Sequence, residues 1–293
     1  MWHWLTTDWK LSSLVSKTYF CRPIINLLMY RIFQVDAFTS ELFGGNPAAV
    51  VPLENWLPDE MMQLIARENN LSETAFFVPS DKPDTYHIRW FTPATEVQLC
   101  GHATLASAHV VFNLLKTNVS EKLSFQSRSG WLHVQRDDDW LTLDFPSDLL
   151  QPIEMPAALQ KGFNILPTMV LLGREDYLCI YDSQADVLAL QPDFRILSTV
   201  PARGFICTAP GEQSDFVSRC FYPAYGIDED PVTGSAHTTL TPYWAGILGK
   251  TTLSAIQVSE RLGFLLCTLA GDRVLISGQA VLYMEGLIAV NKN

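Results

Sequence analysis

The chain has 293 residues, of which 48% are hydrophobic and 17% are charged, so it is long enough for two globular domains and too apolar for a disordered protein. Its formal net charge of −11 excludes the basic surface that a nucleic-acid-binding protein needs. The six cysteines form no C-x-x-C pair, and no histidine stands at metal-ligand spacing from them, which favours reduced thiols in the cytoplasm and no metal site.

The opening segment is apolar in parts but is interrupted by Lys10, Lys17 and Arg22. It contains no run of about 20 apolar residues that would span a bilayer, and it has no clear cleavage site. We therefore expect neither a membrane anchor nor a secretory signal. Because Met29 begins a clear strand pattern, the sequence predicts that this residue is the natural start and that residues 1–28 are an upstream extension.

The first half of the chain combines strand patterns with two helical segments. Residues 32–38, 73–79 and 87–91 are rich in β-branched and aromatic side chains, which is typical of strands. Residues 57–71 predict a helix with acidic residues in its first turn. Residues 102–115 are small and apolar on all sides, which indicates a helix buried in a core.

Around Pro146 the pattern begins again, and the second half repeats a unit of the first. Phe91–Ala94 and Phe221–Ala224 both read F-x-P-A, and each leads to a small-residue helix start, at Gly101 and at Gly234. We interpret this repeat as a duplication that gives two similar domains, each with strands around one buried helix.

The two helix starts are candidates for ligand binding. If the domains face each other, free N–H groups and a partial positive charge from both helices point into one cleft. Such a cleft suits a carboxylate, and the small residues Gly234, Ser235 and Ala236 would let a ligand approach the backbone closely.

Three polar side chains near these segments are candidates for catalysis. Glu73, in the segment L-S-E-T, precedes an apolar strand and is the candidate general acid and base, although an isolated glutamate there more often faces solvent. His102 follows Gly101 and is either a proton carrier or a histidine of the core or the helix cap. Asp230 either orients the substrate or complements the helix dipole.

Cys100 is a fourth candidate, because a thiol at a helix start can have a lowered pKa and act as a base. The corresponding residue of the second half is Thr233, which cannot be a partner base, so a packing role is favoured for Cys100. No dinucleotide motif, P-loop or G-x-S-x-G motif is present. One glutamate and two helix starts without a cofactor best fit proton transfer at carbon.

Five motifs are spread over residues 29–293: QVDAFTSELFGGNPAAVV, LSETAFF, FTPATEVQLCGHATLASAHVVF, DEDPVTGSAH and DRVLISGQAVLYMEG. Together they resemble the PhzF-type family of phenazine-biosynthesis-like isomerases, and within it the MAWBP-like branch. The resemblance implies a diaminopimelate-epimerase-like α+β fold, in which two pseudo-symmetric domains each fold a mostly antiparallel, barrel-like sheet around a central helix. It implies a homodimer with an N-terminal domain at 29–145, completed by 281–293, and a C-terminal domain at 146–280.

The resemblance also implies roles for individual residues. The glutamate of S-E-T shuttles a proton between carbon atoms of the substrate, which gives that role to Glu73. The residues implied to position the substrate or to line its carboxylate pocket are Gly101, His102, Asp230, Gly234, Ser235 and Ala236. The chain departs from the family at the first glycine of the usual S-x-R-G-G, because it has Leu262 there.

We therefore expect an isomerase without cofactor or metal that acts on a small carboxylate-bearing metabolite and has no nucleic-acid or membrane partner. Two alternatives remain open at this point. In the first alternative, the chain is a catalytically silent protein that binds metabolites or other proteins through the same fold. In the second, it is an epimerase that depends on Cys100.

Overall fold

The structure is a computed structural model that describes residues 27–115 and 120–291. The predicted upstream extension lies outside the described residues except for Leu27 and Leu28, which open the first strand. Within the described ranges, no helix is long and apolar enough to cross a membrane.

Strands make up most of the fold. The first half contributes β1 (Leu27–Ala37), β2 (Asn46–Pro52), β3 (Glu73–Pro79), β4 (Thr85–Phe91), β5 (Glu96–Val97), β6 (Lys122–Ser127), β7 (Gly130–Asp137) and β8 (Trp140–Pro146). The second half contributes β9 (Gln151–Pro152), β10 (Met169–Leu172), β11 (Asp176–Ile180), β12 (Gly204–Pro210), β13 (Phe216–Tyr222), β14 (Ile227–Asp230), β15 (Thr252–Gln257), β16 (Gly263–Ala270), β17 (Arg273–Gly278) and β18 (Ala280–Asn291).

The α-helices are fewer, and two of them lie at the centre of the fold. They are α1 (Asp59–Asn69), α2 (Gly101–His109), α3 (Ala157–Gly162), α4 (Gln184–Leu188), α5 (Phe194–Leu197) and α6 (His237–Leu248). Helix α2 continues into a π-helical turn at Val110–Leu114.

The same order of strand pairing occurs twice. In the first half β2 is parallel to β3, β3 is antiparallel to β4, β4 is parallel to β6, and β6, β7 and β8 follow as antiparallel neighbours. In the second half β11, β12, β13, β15, β16 and β17 repeat that order. The predicted α+β fold of two pseudo-symmetric units is therefore confirmed.

The two units are joined through equivalent strands, because residues 141–146 of β8 pair with the whole of β17. The last strand, β18, leaves the second unit and pairs with β1. The domain boundaries at 145 and 280 stay predictions.

Each unit wraps its strands around one apolar helix. Helix α2 contacts β1, β2, β3 and β8, and its residues 101–108 are buried, while α6 packs against β15, β16 and β17. The hydroxyl groups inside these helices donate to backbone carbonyls one turn earlier, as Ser107 does to Ala103 at 2.7 Å and Thr241 to His237 at 2.6 Å. A buried hydroxyl with such a partner avoids most of the cost of leaving water.

A polar clamp holds the β1–β2 loop against the β15–β16 turn. The Arg261 guanidinium donates to the Asp36 carboxylate at 2.9 Å and to the carbonyl oxygens of Gly44 and Gly45. Gly45 has a φ of +60°, and a Cβ there would stand 2.1 Å from the Ala37 carbonyl oxygen, so only glycine fits. This clamp fixes the loop that precedes Asn46.

Leu262 follows that arginine and has a φ of +54°, in the left-handed region. An L-residue in that region carries roughly 1–2 kcal/mol of strain. The Leu262 side chain is 43% exposed and offsets little of this strain through burial.

We predict that Leu262→Gly raises the free energy of unfolding by about 0.5 kcal/mol, because relief of the strain slightly exceeds the added entropy of the unfolded chain. Leu262→Ala keeps the Cβ and with it the strain, so it should give no gain. Urea unfolding of the two variants beside the parent chain measures the difference. Equal stabilisation by both substitutions would contradict the prediction.

Candidate active site

The two central helices begin side by side. Gly101 is the first residue of α2, and Gly234 opens the turn that leads into α6 at His237. A Cβ on Gly101 would lie 3.7 Å from the Gly234 Cα, and a Cβ on Gly234 would lie 3.3 Å from the Phe38 ring. The two helix starts therefore lie so close together that even a Cβ would be in van der Waals contact across the junction.

Backbone donors at this junction are open. In the part of the chain that the structure describes, the N–H groups of Gly101, Gly234 and Ser235 have no hydrogen-bond acceptor. Together with the partial positive charge of each helix start, such groups form a site for an anion. A carboxylate bound here would accept hydrogen bonds from both units at once.

Glu73 and His102 lie beside this junction and face each other. Glu73 is the first residue of β3, and its Oε2 lies 3.2 Å from Nε2 of His102, which is the second residue of α2. The approach is close enough for a strong electrostatic interaction, although its angle does not satisfy hydrogen-bond geometry. Both side chains are at least 88% buried, so little water separates them.

The other ring nitrogen of His102 faces a thiol and an amide. Nδ1 lies 3.6 Å from the Cys100 sulfur and 3.3 Å from the Asn46 amide nitrogen. The two amide hydrogens of Asn46 have better acceptors, Asp230 Oδ1 at 2.8 Å and the Val232 carbonyl at 2.9 Å. The Cys100 sulfur is therefore the better hydrogen-bond partner of Nδ1, and we place a proton on Nε2, towards the glutamate.

Asp230 is held by a network of neutral donors. Besides Asn46, the Thr233 hydroxyl donates to its Oδ2. The Gln257 side chain fixes the same segment, because its amide nitrogen donates to the Asp230 carbonyl at 2.7 Å and its oxygen accepts from the Thr233 N–H at 2.8 Å. The network links residues of both units and joins Asp230 to His102 through a single side chain.

The pKa values at this site are shifted mainly by burial and by neighbouring charges. Burial and, next, the Glu73 charge raise the pKa of Cys100 to about 11, so it is a neutral thiol near pH 7. Burial alone would lower the pKa of His102, but the charges of Cys100 and Glu73 raise it well above its ordinary value. With a neutral thiol, Glu73 supplies this stabilisation of the imidazolium at neutral pH.

Burial also raises the pKa of Asp230 to about 6, the His102 charge works against this shift, and the Glu73 charge adds to it. A carboxyl group of this kind changes its protonation near the physiological range and is typical of functional sites. It also costs stability when it is ionised, because its charge is 92% shielded from water in the folded chain.

Six of the seven predicted site residues lie at this junction, and each of them has a polar side chain or an open backbone N–H group there. The exception is Ala236, whose side chain is fully buried in the hydrophobic core. His237 packs in the core, and its Nδ1 lies 2.9 Å from the Thr233 carbonyl oxygen. The roles assigned to these residues stay predictions.

Sequence reasoning missed two polar residues of the site, Asn46 and Gln257. Asn46 follows two glycines and precedes a proline, so it has the appearance of a turn residue, whereas the structure places it fully buried at the start of β2. Gln257 ends an ordinary strand pattern, and no local signal distinguishes it.

Donor atoms of Glu73, Cys100 and His102 lie within 4.8 Å of one another, a spacing that would also accommodate a metal ion. The expectation of a site without metal or cofactor therefore stays a prediction.

Comparison with known proteins gives consistent matches. The profile of the family described as "Phenazine biosynthesis-like protein" matches residues 35–286. A Pseudomonas aeruginosa protein named "Uncharacterized isomerase" is 52% identical over 257 residues, 88% of this chain and 98% of the relative. The human "Phenazine biosynthesis-like domain-containing protein" is 40% identical over 287 residues, with coverage of 88% and 98%.

A solved structure shows the same likeness. The PhzF-family phenazine biosynthesis protein of Enterococcus faecalis has a TM-score of 0.85 at 46% identity, covering 89% of this chain and 99% of that chain.

We predict that Asp230→Asn makes the chain more stable than the parent above pH 6, by up to about 3 kcal/mol. The folded-state pKa of about 6 exceeds the ordinary value of 3.8, so the parent loses stability as the pH rises from about 4 through 6. Below pH 4 both forms are neutral and the difference should vanish. Urea unfolding across this pH range measures the effect.

Asp215→Asn is a control with the opposite sign, because the hydrogen bond from Lys250 lowers the pKa of Asp215. That substitution should reduce stability at neutral pH. A parent chain that is more stable than Asp230→Asn at pH 8 would show that the carboxylate is favourable in the fold and that the proposed cost of its burial is wrong.

Proposed function

Because the chain belongs to the phenazine biosynthesis-like protein family, we propose that it is a cofactor-independent isomerase that moves a proton between carbon atoms of a small carboxylate-bearing metabolite. The family and its fold were predicted from five sequence motifs, and the comparisons confirm both. The name of the bacterial relative supports an isomerase-type activity. The substrate class and the mechanism are our proposal.

The observation that carries the proposal is the position of Glu73. Its carboxylate lies 3.2 Å from His102 Nε2, and that histidine immediately follows Gly101 at the meeting point of two open helix starts. A proton acceptor therefore stands next to a site that fits a carboxylate. A substrate held at that site would present a neighbouring carbon atom to the glutamate.

The proposed reaction begins with the substrate carboxylate accepting hydrogen bonds from the N–H groups of Gly101, Gly234 and Ser235. Glu73 removes a proton from carbon, so the C–H bond breaks, an O–H bond forms on the glutamate, and the electron pair spreads into the conjugated carboxylate. The open N–H groups stabilise this negative charge where it develops. Glu73 then returns the proton to a second carbon, and the double bond has moved.

The neighbouring side chains support this transfer. His102 presents its Nε2 proton to Glu73 and stabilises the carboxylate in the form that accepts a proton. Asp230 holds Asn46 in place against the imidazole, and with a pKa near 6 it can also hold a proton close to the substrate. No step requires an oxidant or a reductant.

The alternatives are less well supported. A Cys100-dependent epimerase needs a thiolate, whereas burial raises the pKa of this thiol to about 11. The corresponding residue, Thr233, donates its hydroxyl to Asp230. A silent binding protein would not need a buried carboxylate beside an imidazole, since that arrangement costs stability. The homodimer and the cytoplasmic location stay predictions.

We predict that Glu73→Gln lowers proton exchange at carbon by a factor of about 10² to 10⁴, because glutamine keeps the shape of the side chain but cannot accept a proton. The measurement follows deuterium incorporation by mass spectrometry when β,γ-unsaturated carboxylic acids are incubated with the protein in deuterated water. Cys100→Ser is the matched control, and it should retain most of the exchange.

Undiminished exchange in Glu73→Gln combined with its loss in Cys100→Ser would reject the glutamate mechanism in favour of the thiol. If the parent chain binds these acids without incorporating deuterium, the silent binding protein becomes the better interpretation.

A further inference from the structure

A cavity of about 100 Å³ adjoins the proposed active site at Ser235. Its walls include Ser235 of the α6 start and Phe145, whose ring would lie 3.8 Å from a Cβ on Gly101. It therefore borders the α6 start directly and is separated from the α2 start by the Phe145 ring, and none of the three proposed catalytic side chains lines it. A substrate whose carboxylate is bound at the helix starts could extend into this space.

Arg203 lines the cavity and has one edge of its guanidinium available. Its Nε donates to Asp176 Oδ1 at 2.9 Å, and its Nη2 donates to the other oxygen of the same carboxylate. Among residues 27–115 and 120–291, Nη1 has only two long contacts, 3.5 Å to the Ser235 hydroxyl and 3.5 Å to the Glu175 carboxylate. Distances of this length leave two strong donors without a good acceptor.

The guanidinium is held in place, which is what a recognition group requires. Asp176 is 3% exposed and binds Arg203 through both oxygens, while the Tyr222 ring lies 5.4 Å below the guanidinium carbon. The neighbouring glycine, Gly204, makes room for that ring, because a Cβ there would stand 2.1 Å from Tyr222 Cδ1. Burial is the largest single influence and lowers the pKa of Arg203, but the hydrogen bond to Asp176 and the charges of Tyr222, Asp176 and Glu175 together raise it by more, so the group stays charged.

The cavity is lined by three carboxylates and two guanidiniums, so it is the unused hydrogen-bond donors rather than the net charge that favour an acidic ligand group. Of the acids, Asp176 is neutralised by Arg203, and Asp148 accepts hydrogen bonds from two backbone N–H groups and from the Thr239 hydroxyl. Glu175 is 60% exposed at the rim. The exposed Arg174 guanidinium has no partner among the residues that the structure describes, so unsatisfied donors outnumber unsatisfied acceptors.

Arg219, in the same unit, is an arginine whose hydrogen bonds all serve the fold. It also binds a carboxylate through Nε and Nη2, that of Glu229. Its Nη1, however, donates to the carbonyl oxygens of Val187 at 3.2 Å and Leu190 at 3.0 Å. No donor edge is left for a ligand, in contrast to Arg203.

We propose that Arg203 and Ser235 form a second acid-binding subsite and that the substrate of the proposed isomerase is a dicarboxylate. One carboxylate lies at the helix starts, and the other accepts hydrogen bonds from Arg203 Nη1 in the adjoining cavity. The assignment rests on the proposed function. It makes Arg203 a residue that determines substrate specificity.

The test compares binding of succinate and butyrate, which have four carbon atoms each and cannot be isomerised, to the full chain by calorimetry at equal ionic strength. Succinate should bind about tenfold or more tightly than butyrate, which is the effect of one added charge-assisted hydrogen bond. In Arg203→Lys the ratio should fall towards one, because a lysine that pairs with Asp176 lacks the planar fork.

Two further variants keep the result interpretable. Arg219→Lys is the matched control and should leave the ratio of the two dissociation constants unchanged. If Arg203→Lys does not fold, the double variant Arg203→Gln with Asp176→Asn removes both buried charges together and should also abolish the preference. The circular dichroism spectrum of each variant verifies folding.

Equal binding of succinate and butyrate by the parent chain, or no binding of either, would overturn the proposal. Binding of 4-hydroxybutyrate as tight as that of succinate would show an uncharged acceptor in the cavity and would reject the dicarboxylate. These acids do not react, so a failure of proton exchange at Glu73 leaves this result unaffected and the two proposals can fail separately.

Discussion

The close approach of two helix starts is the constraint on which the rest of the structure depends. Gly101 and Gly234 have no side chains to separate α2 from α6, and a Cβ on either would come within 3.8 Å of the other Cα. Two sets of open N–H groups therefore converge on one small volume. Every polar group of the candidate site is placed relative to that volume, and larger residues would push the two units apart.

A duplicated fold carries a site that is not symmetric. The two units repeat the same order of parallel and antiparallel strands and are joined through the equivalent strands β8 and β17. At the junction, however, the first unit supplies Glu73 and His102 while the second supplies Asp230. Duplication thus provides a cleft with paired helix starts. Because the residues of the two units have diverged, each unit contributes different ionisable groups to the cleft.

Burial gives the site its chemical character and also costs stability. Three ionisable groups, Glu73, His102 and Asp230, lie in a region with little water, where charges interact strongly and are expensive to maintain. The neutral donors Asn46 and Thr233 offset part of that cost for Asp230, and the carboxylate of Glu73 does so for the imidazole of His102. The apolar core around α2 and α6 supports this arrangement.

The sequence by itself determined the fold class, the duplication and most of the candidate site residues. These features are encoded locally, in strand alternation, in two apolar helix patterns and in small residues before each helix. Only the tertiary structure decided which distant residues meet. Asn46 joins His102 to Asp230, and Arg203 reaches Ser235, across 32 to 184 positions of chain. Such contacts depend on how strands fold within one barrel and on how the two barrels pack together, and no local pattern of residues records that packing.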